Sequence, residues 1–158
     1  MRPTYFQELH KQMTFDDRVW ALTGDLGYIG FDQIRKDYPK RFINCGASEF
    51  AMTGIACGLA QDGKIPFVYS ITPFLIYRPF EILRTYVNHE NINVKLVGSG
   101  RDSDYEHDGY SHNATDVKKI LDTLPNIKQL YPETKEEVPR MVEEMLEVNK
   151  PYFISLRR

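Results

Sequence analysis

Glu49 stands in the run INCGASEFAMTG (43–54), whose other side chains are small or apolar. A carboxylate in the first turn of a helix complements the positive end of the helix dipole, and Ser48 before it is an adequate cap. The helix that follows is apolar nearly all round, which predicts a buried helix and a buried Glu49. A carboxyl withdrawn from water needs a bonded partner or takes up a proton, so in this setting it can hold and pass one. Further along, Phe74, Tyr77 and Phe80 recur every third residue and on a helix form one aromatic stripe. Such a stripe serves either as core or as a wall for a flat ring. HDGYSHN (107–113) sets Asp108 and His112 in a polar loop, an acceptor beside a donor that titrates near neutral pH. That pair suits orienting a hydroxyl and moving protons, whereas His107 reads as a solvated surface residue. Arg78 can meet a phosphate or close a surface ion pair. Asp25 in GDLG reads as a turn or cap aspartate, and Arg101 and Asp104 are further polar candidates.

These residues need elements to position them, and apolar periodicity alternates between helical and strand-like stretches along the chain. Thr4 is placed to cap a first helix with Phe6, Leu9 and Met13 inward. RVWALTG (18–24) predicts a buried strand, FDQIRKDY a helix ending before Pro39, and RFINC (41–45) a strand. SEFAMTGIACGLAQDG predicts a helix closed by Gly63, and IPFVYS (65–70) a strand. TPFLIYRPFEILRTYVNHE predicts a long helix that Pro79 delays or kinks. NVKLVGSG (93–100) is a strand running into the aperiodic loop RDSDYEHDGYSHN, and Asp116 to Leu124 a short helix. IKQLYP is a strand, TKEEVPRMVEEMLEVNK a helix opened by a Thr134 to Glu137 capping box, and YFISLRR a last strand. Strands joined by helices through short connections predict an α/β fold: a mainly parallel, doubly wound sheet of about six strands with helices on both faces. Ligands in such sheets gather beyond the carboxyl ends of the strands. GDLG, GASEF, SITPF and GSGRDSDYEHDGYSH all fall on that rim.

The 158 residues fit one domain, and 42% hydrophobic with 27% charged residues describes an ordinary folding sequence. A net charge of −2 gives no footprint for nucleic acid, and no basic amphipathic stripe suggests a membrane surface. No apolar run reaches bilayer length and the amino terminus lacks a secretory core, so the expected location is cytoplasmic. Cys45 and Cys57 lie in apolar segments without metal-ligand spacing and read as small core residues.

The order GDLG, RFINCGASEFAMTGIACGLAQDGKIPFVYSITPFL, DGYSH, LPNI, PYFISLRR resembles the pyrimidine-binding domain of transketolases and the related deoxyxylulose-phosphate synthases, over essentially the whole chain. The resemblance implies the pyrimidine-type thiamine-diphosphate-binding fold and a domain that grips the aminopyrimidine ring of thiamine diphosphate. Glu49 matches the carboxyl that bonds a ring nitrogen and, by sharing a proton with it, activates the cofactor. Phe74, Tyr77 and Phe80 match aromatic positions around the ring. An extra residue between Phe74 and Arg78, relative to several relatives, leaves Phe74 and Tyr77 both as ring contacts, with Phe74 preferred. Asp25 matches an acidic position near the cofactor and the subunit contact. Asp108 and His112 match positions that meet sugar hydroxyls, His112 as a catalytic group, and Arg78 is placed for a substrate phosphate. Tyr110 replaces the usual proline and Asn113 the usual glutamine, departures that bear on the substrate more than on the cofactor.

Relatives hold the diphosphate through a divalent metal introduced by a GDG motif, which this sequence lacks; QDGK (61–64) is a helix-ending turn. The chain also stops where larger relatives continue into a further domain. The resemblance therefore implies a single pyrimidine-binding domain over 1–158, with neither a diphosphate-binding nor a carboxyl-terminal domain in this chain and no metal ligands of its own. A separate diphosphate-binding transketolase subunit carrying Mg2+ or Ca2+ is the expected partner, two copies of each forming a heterotetramer, and this chain alone is expected to be inactive. The implied function is transfer of a two-carbon ketol unit between sugars or sugar phosphates. Acyloin formation or 2-oxo acid processing on the same scaffold, and a non-catalytic assembly or regulatory subunit, are the alternatives.

Overall fold

Val19–Thr23 (β1), Phe42–Asn44 (β2), Ile65–Ile71 (β3), Lys95–Ser99 (β4), Lys128–Leu130 (β5) and Tyr152–Leu156 (β6) form one sheet in a computed structural model that describes residues 1–158. The strand order is β2-β1-β3-β4-β6-β5, and every pairing is parallel. Alternate residues feed opposite faces, as the pleat requires. Ala21, Phe67, Tyr69, Val97 and Ile154 enter one core with Arg2–Phe15 (α1), Asp32–Asp37 (α2) and Val138–Glu147 (α7). Leu22, Val68, Leu96 and Phe153 enter the other, beneath Glu49–Gln61 (α3), Thr72–Tyr77 (α4), Phe80–Ile82 (α5) and Val117–Leu121 (α6). This is the doubly wound α/β architecture the periodicity predicts. From β1 the chain steps out to β2, then crosses back to lay β3 on the other side of β1. The connections thus diverge at the carboxyl ends of β1 and β3, opening the crevice in which such sheets bind ligands.

Several local expectations are revised. The first helix begins at Arg2 with Pro3 in its opening turn, where a missing N–H costs nothing, so Thr4 lies inside the helix instead of capping it. The Thr134 hydroxyl makes no cap bond; Glu137 instead accepts the Glu133 N–H (2.8 Å) across a 3-10 turn, and α7 opens at Val138 with Pro139 in its first turn. The long aromatic helix is broken: α4 ends at Tyr77, Pro79 precedes α5, and α5 runs on as a π-helical stretch over Leu83–His89. Finally, α3 is not enclosed all round, because Phe50 (53% exposed) and Ile55 (43%) face outward.

At the opposite end of the sheet Lys95 is fully buried, its ammonium donating to the carbonyls of Val148 (3.1 Å) and Lys150 (2.7 Å) and lying 4.8 Å from the Tyr152 ring centre. Burial lowers its pKa from the usual 10.5 to about 7. The folded value lies below the unfolded one, so across that window the unfolded chain binds the extra proton and stability rises with pH. Lys95→Met is expected to remove a slope of up to about 1.4 kcal/mol per pH unit in denaturant unfolding measured between those two values. Parallel pH profiles for the two proteins would contradict it.

No helix of the chain is long and apolar enough to cross a membrane.

Candidate functional site

The carboxyl of Glu49 enters the crevice between β1 and β3. Its residue opens α3, and the side chain is 1% exposed. Ser70, at the end of β3, donates its hydroxyl to Glu49 Oε1 (2.7 Å). Gly24, just past β1, lies so close that a Cβ there would sit 3.1 Å from the same oxygen, a tight contact that would make the carboxyl shift by a few tenths of an ångström. Arg78 Nη1 donates to Glu49 Oε2 (2.6 Å). The buried carboxyl thus finds the partners its position demands.

From Arg78 the contacts continue along the rim. Its guanidinium lies over the Phe74 ring, 3.7 Å from the centroid. Phe74 in turn meets the His112 imidazole edge-on at 4.8 Å between ring centres. Ser111 Oγ engages His112 Nδ1 (3.0 Å), which keeps Nε2 out of that bond. Glu49, Arg78, Phe74 and His112, read separately from the sequence, therefore form one continuous cluster.

The remaining candidates lie apart from it. The helix break at Arg78 and Pro79 splits the aromatic stripe. Tyr77 turns its hydroxyl to the Asp116 carboxylate, and burial first and that carboxylate second push the phenol well above its usual pKa. Phe80 packs against the core beneath α3. Asp108 is exposed, with His107 Nε2 3.4 Å from its carboxylate. Asp25 adopts a left-handed backbone (φ 58°) in an exposed turn, its carboxylate accepting from Asn44 Nδ2 (3.0 Å). Arg101 is buried and spends its guanidinium on the Pro132 and Ser155 carbonyls (2.7 and 2.6 Å), while Asp104 Oδ2 accepts the backbone N–H groups of Arg101 and Arg158 (3.0 Å each). These two tie the loop after β4 to the chain end.

Ser70, Gly24 and Asn44 escaped the sequence reading. Ser70 had a signal, a small hydroxyl at the end of a mostly apolar strand that opens onto the rim. Asn44 Oδ1 accepts the N–H groups of Asp25 (3.1 Å) and Gly46 (3.0 Å), joining the loops after β1 and β2, a long-range bond that spacing does not reveal. Burial raises the pKa of Cys45 and pushes the Cys57 thiol up to about 11, so neither offers a thiolate at neutral pH. No group of three or more His, Cys, Asp or Glu side chains is arranged to hold a metal ion. A cavity of about 570 Å³ lies across the sheet, lined by Arg2, Phe6, His10, Tyr28, Ile34 and Tyr69 among others; the Glu49 cluster does not border it.

The fold is a parallel doubly wound α/β domain, with a carboxyl, an aromatic ring and an imidazole gathered outside its strand ends, where such sheets commonly bind ligands. All of residues 1–158 match the family described as "Transketolase, pyrimidine binding domain", and the chain belongs to that family. Over its full length it is 32% identical to the "Putative transketolase C-terminal section" of Methanocaldococcus jannaschii, covering 50% of that protein. It is 31% identical, again over its full length, to the "6-deoxy-6-sulfo-D-fructose transketolase subunit SqwH" of Clostridium sp. (strain MSTE9), covering 49%. The chain thus spans about half the length of these curated relatives. Among solved structures, "Split gene transketolase, inactive beta4 tetramer" superposes with a TM-score of 0.87 at 28% identity, over 99% of this chain and 51% of that one.

Proposed function

We propose that this chain is the pyrimidine-gripping part of a thiamine-diphosphate-dependent, transketolase-type transferase that moves a two-carbon ketol unit between sugars or sugar phosphates. A separate subunit supplies the diphosphate and divalent-metal site, in an assembly of two copies of each chain. The observation that carries this reading is the burial of Glu49 at the β1/β3 crevice with its carboxyl beside Phe74 through Arg78. Similarity to a Clostridium protein named as a transketolase subunit supports the division between chains.

The residues fit the ring of the implied cofactor. Glu49 offers a sequestered carboxyl to a ring nitrogen, Phe74 offers a flat apolar face beside it, and Gly24 leaves space against the carboxyl. When bound, thiamine diphosphate supplies the electron sink for carbon–carbon cleavage. Glu49 holds a proton between its carboxyl and the ring nitrogen, and Ser70 fixes the carboxyl's orientation by occupying Oε1. His112 presents Nε2 to a substrate hydroxyl and moves its proton, with Asp108 as a further acceptor on the same loop. Phe74, rather than Tyr77, serves as the ring wall, because the Tyr77 hydroxyl is committed to Asp116.

The test is reconstitution. The chain alone, the chain with a diphosphate-binding transketolase subunit, and that subunit alone are each given thiamine diphosphate, Mg2+ and a ketose phosphate donor with an aldose acceptor. Donor loss is expected only in the mixture. Turnover of 2-oxo acids in preference to ketoses would overturn the ketol-transfer reading, and no turnover of either by a mixture that assembles would favour a non-catalytic subunit.

A further inference from the structure

We propose that Arg78 is a built-in stand-in for the ring: in the free chain its guanidinium occupies the place between Glu49 and Phe74, and a bound aminopyrimidine takes that place only by displacing it. The inference rests on the ring-site reading above and adds a conformational step to it.

The geometry is specific to a planar donor group. A guanidinium is flat, delocalised and carries N–H groups in a rigid fork. Here the guanidinium carbon lies over the Phe74 ring, 3.7 Å from its centroid, while Nη1 donates to Glu49 Oε2 at 2.6 Å. A 4-aminopyrimidine is also flat and also meets a carboxyl along its edge while stacking through its face. The two features such a ring requires are the Glu49 oxygen left over by Ser70 and the open face of Phe74, and Arg78 covers both.

Arg78 is also built to leave. It follows the last residue of α4, immediately before the Pro79 break, and its side chain is 44% exposed. Moving it opens no core cavity, in contrast to Ser70, which is fully buried. Its presence has a purpose in the free chain: a carboxylate that is 1% exposed is costly without a counter-charge, and Arg78 supplies one until a ring arrives. A ligand competing with such a contact binds with an affinity reduced by the fraction of chains in which the contact is open.

The full chain is titrated with 4-amino-2-methylpyrimidine at millimolar concentrations and followed by NMR of the arginine side-chain signals. In the free protein the Arg78 side-chain protons are expected to be shifted upfield by the Phe74 ring, and to move to ordinary values as the pyrimidine binds. Arg78→Ala is expected to bind the pyrimidine about tenfold tighter than wild type, about 1.4 kcal/mol. Arg78→Met, which keeps the length without the donor, gives the same gain if the alanine variant does not fold. Equal or weaker binding by the variants, or pyrimidine binding that leaves the Arg78 signals in place, overturns the displacement and leaves the ring site standing. Failure of wild type and variants alike to bind overturns the ring site itself, and the displacement with it.

Discussion

Glu49→Gln is expected to lower ketose turnover by the reconstituted complex by about 10²- to 10⁴-fold, the range for loss of a positioned proton-transferring group. Glutamine has the same length and keeps an oxygen to accept the Ser70 hydroxyl, which now lies 2.7 Å from Oε1. It cannot hold a proton between itself and a ring nitrogen. Its amide group would also face Arg78 donor to donor, at the oxygen that now accepts at 2.6 Å. The variant is therefore expected to fold and assemble with its partner while losing turnover. The measurement is steady-state donor loss at saturating thiamine diphosphate, with thermal unfolding as a control for folding. Turnover within about twofold of wild type would remove Glu49 from the chemistry.

Gly98→Ala is expected to destabilise the chain by about 2–4 kcal/mol, combining overpacking with loss of a buried hydrogen bond. Gly98 lies in β4 on extended backbone, so the cost is one of space. A Cβ there would press on Thr72 Oγ1 and come within 2.9 Å of the Phe153 ring. Thr72 cannot yield cheaply, because its buried hydroxyl donates to the carbonyls of Ser99 and Gly100 and fixes the start of α4 against the end of β4. That bond sets where Phe74 begins its run toward the rim, so the same substitution is expected to weaken the site as well as the fold. A contrasting variant is Gly58→Ala, within α3, where nothing lies within 4 Å of the added Cβ. It is expected to gain about 0.5–1 kcal/mol. Denaturant unfolding of both variants checks the pair, and similar midpoints would contradict the packing described here.

The strands and their order of connection were readable because short apolar runs alternate with helical periods, and a parallel sheet leaves few ways to join them. Glu49 was readable for a related reason: a single carboxylate opening an apolar helix has few explanations. That helix is less enclosed than its composition predicts, since periodicity cannot tell an apolar face that packs inward from one that faces out, as Phe50 and Ile55 do. The aromatic stripe failed on geometry. Pro79 breaks the segment and sets Phe80 on a separate helix, while Phe74 and Tyr77, on the same turn of α4, take different partners, Arg78 with His112 for the first and Asp116 for the second. Contacts that join distant segments left little trace in local sequence. Ser70 to Glu49, Asn44 to Asp25 and Lys95 to the turn before β6 each depend on how strands lie side by side. Arg78 closes an ion pair, one of the two roles its sequence position allows, but with the buried Glu49, and a pair spanning 29 positions has no signature in spacing.

The central claim is that the buried Glu49 carboxyl grips a pyrimidine nitrogen. NMR of the assembled complex loaded with thiamine diphosphate carrying 15N in the pyrimidine ring measures that bond directly. One ring nitrogen is expected to resonate at a value displaced toward a protonated or strongly hydrogen-bonded nitrogen in wild type, and to return to the free-cofactor value in Glu49→Gln. Identical ring-nitrogen shifts in the two complexes, with cofactor bound in both, would contradict it.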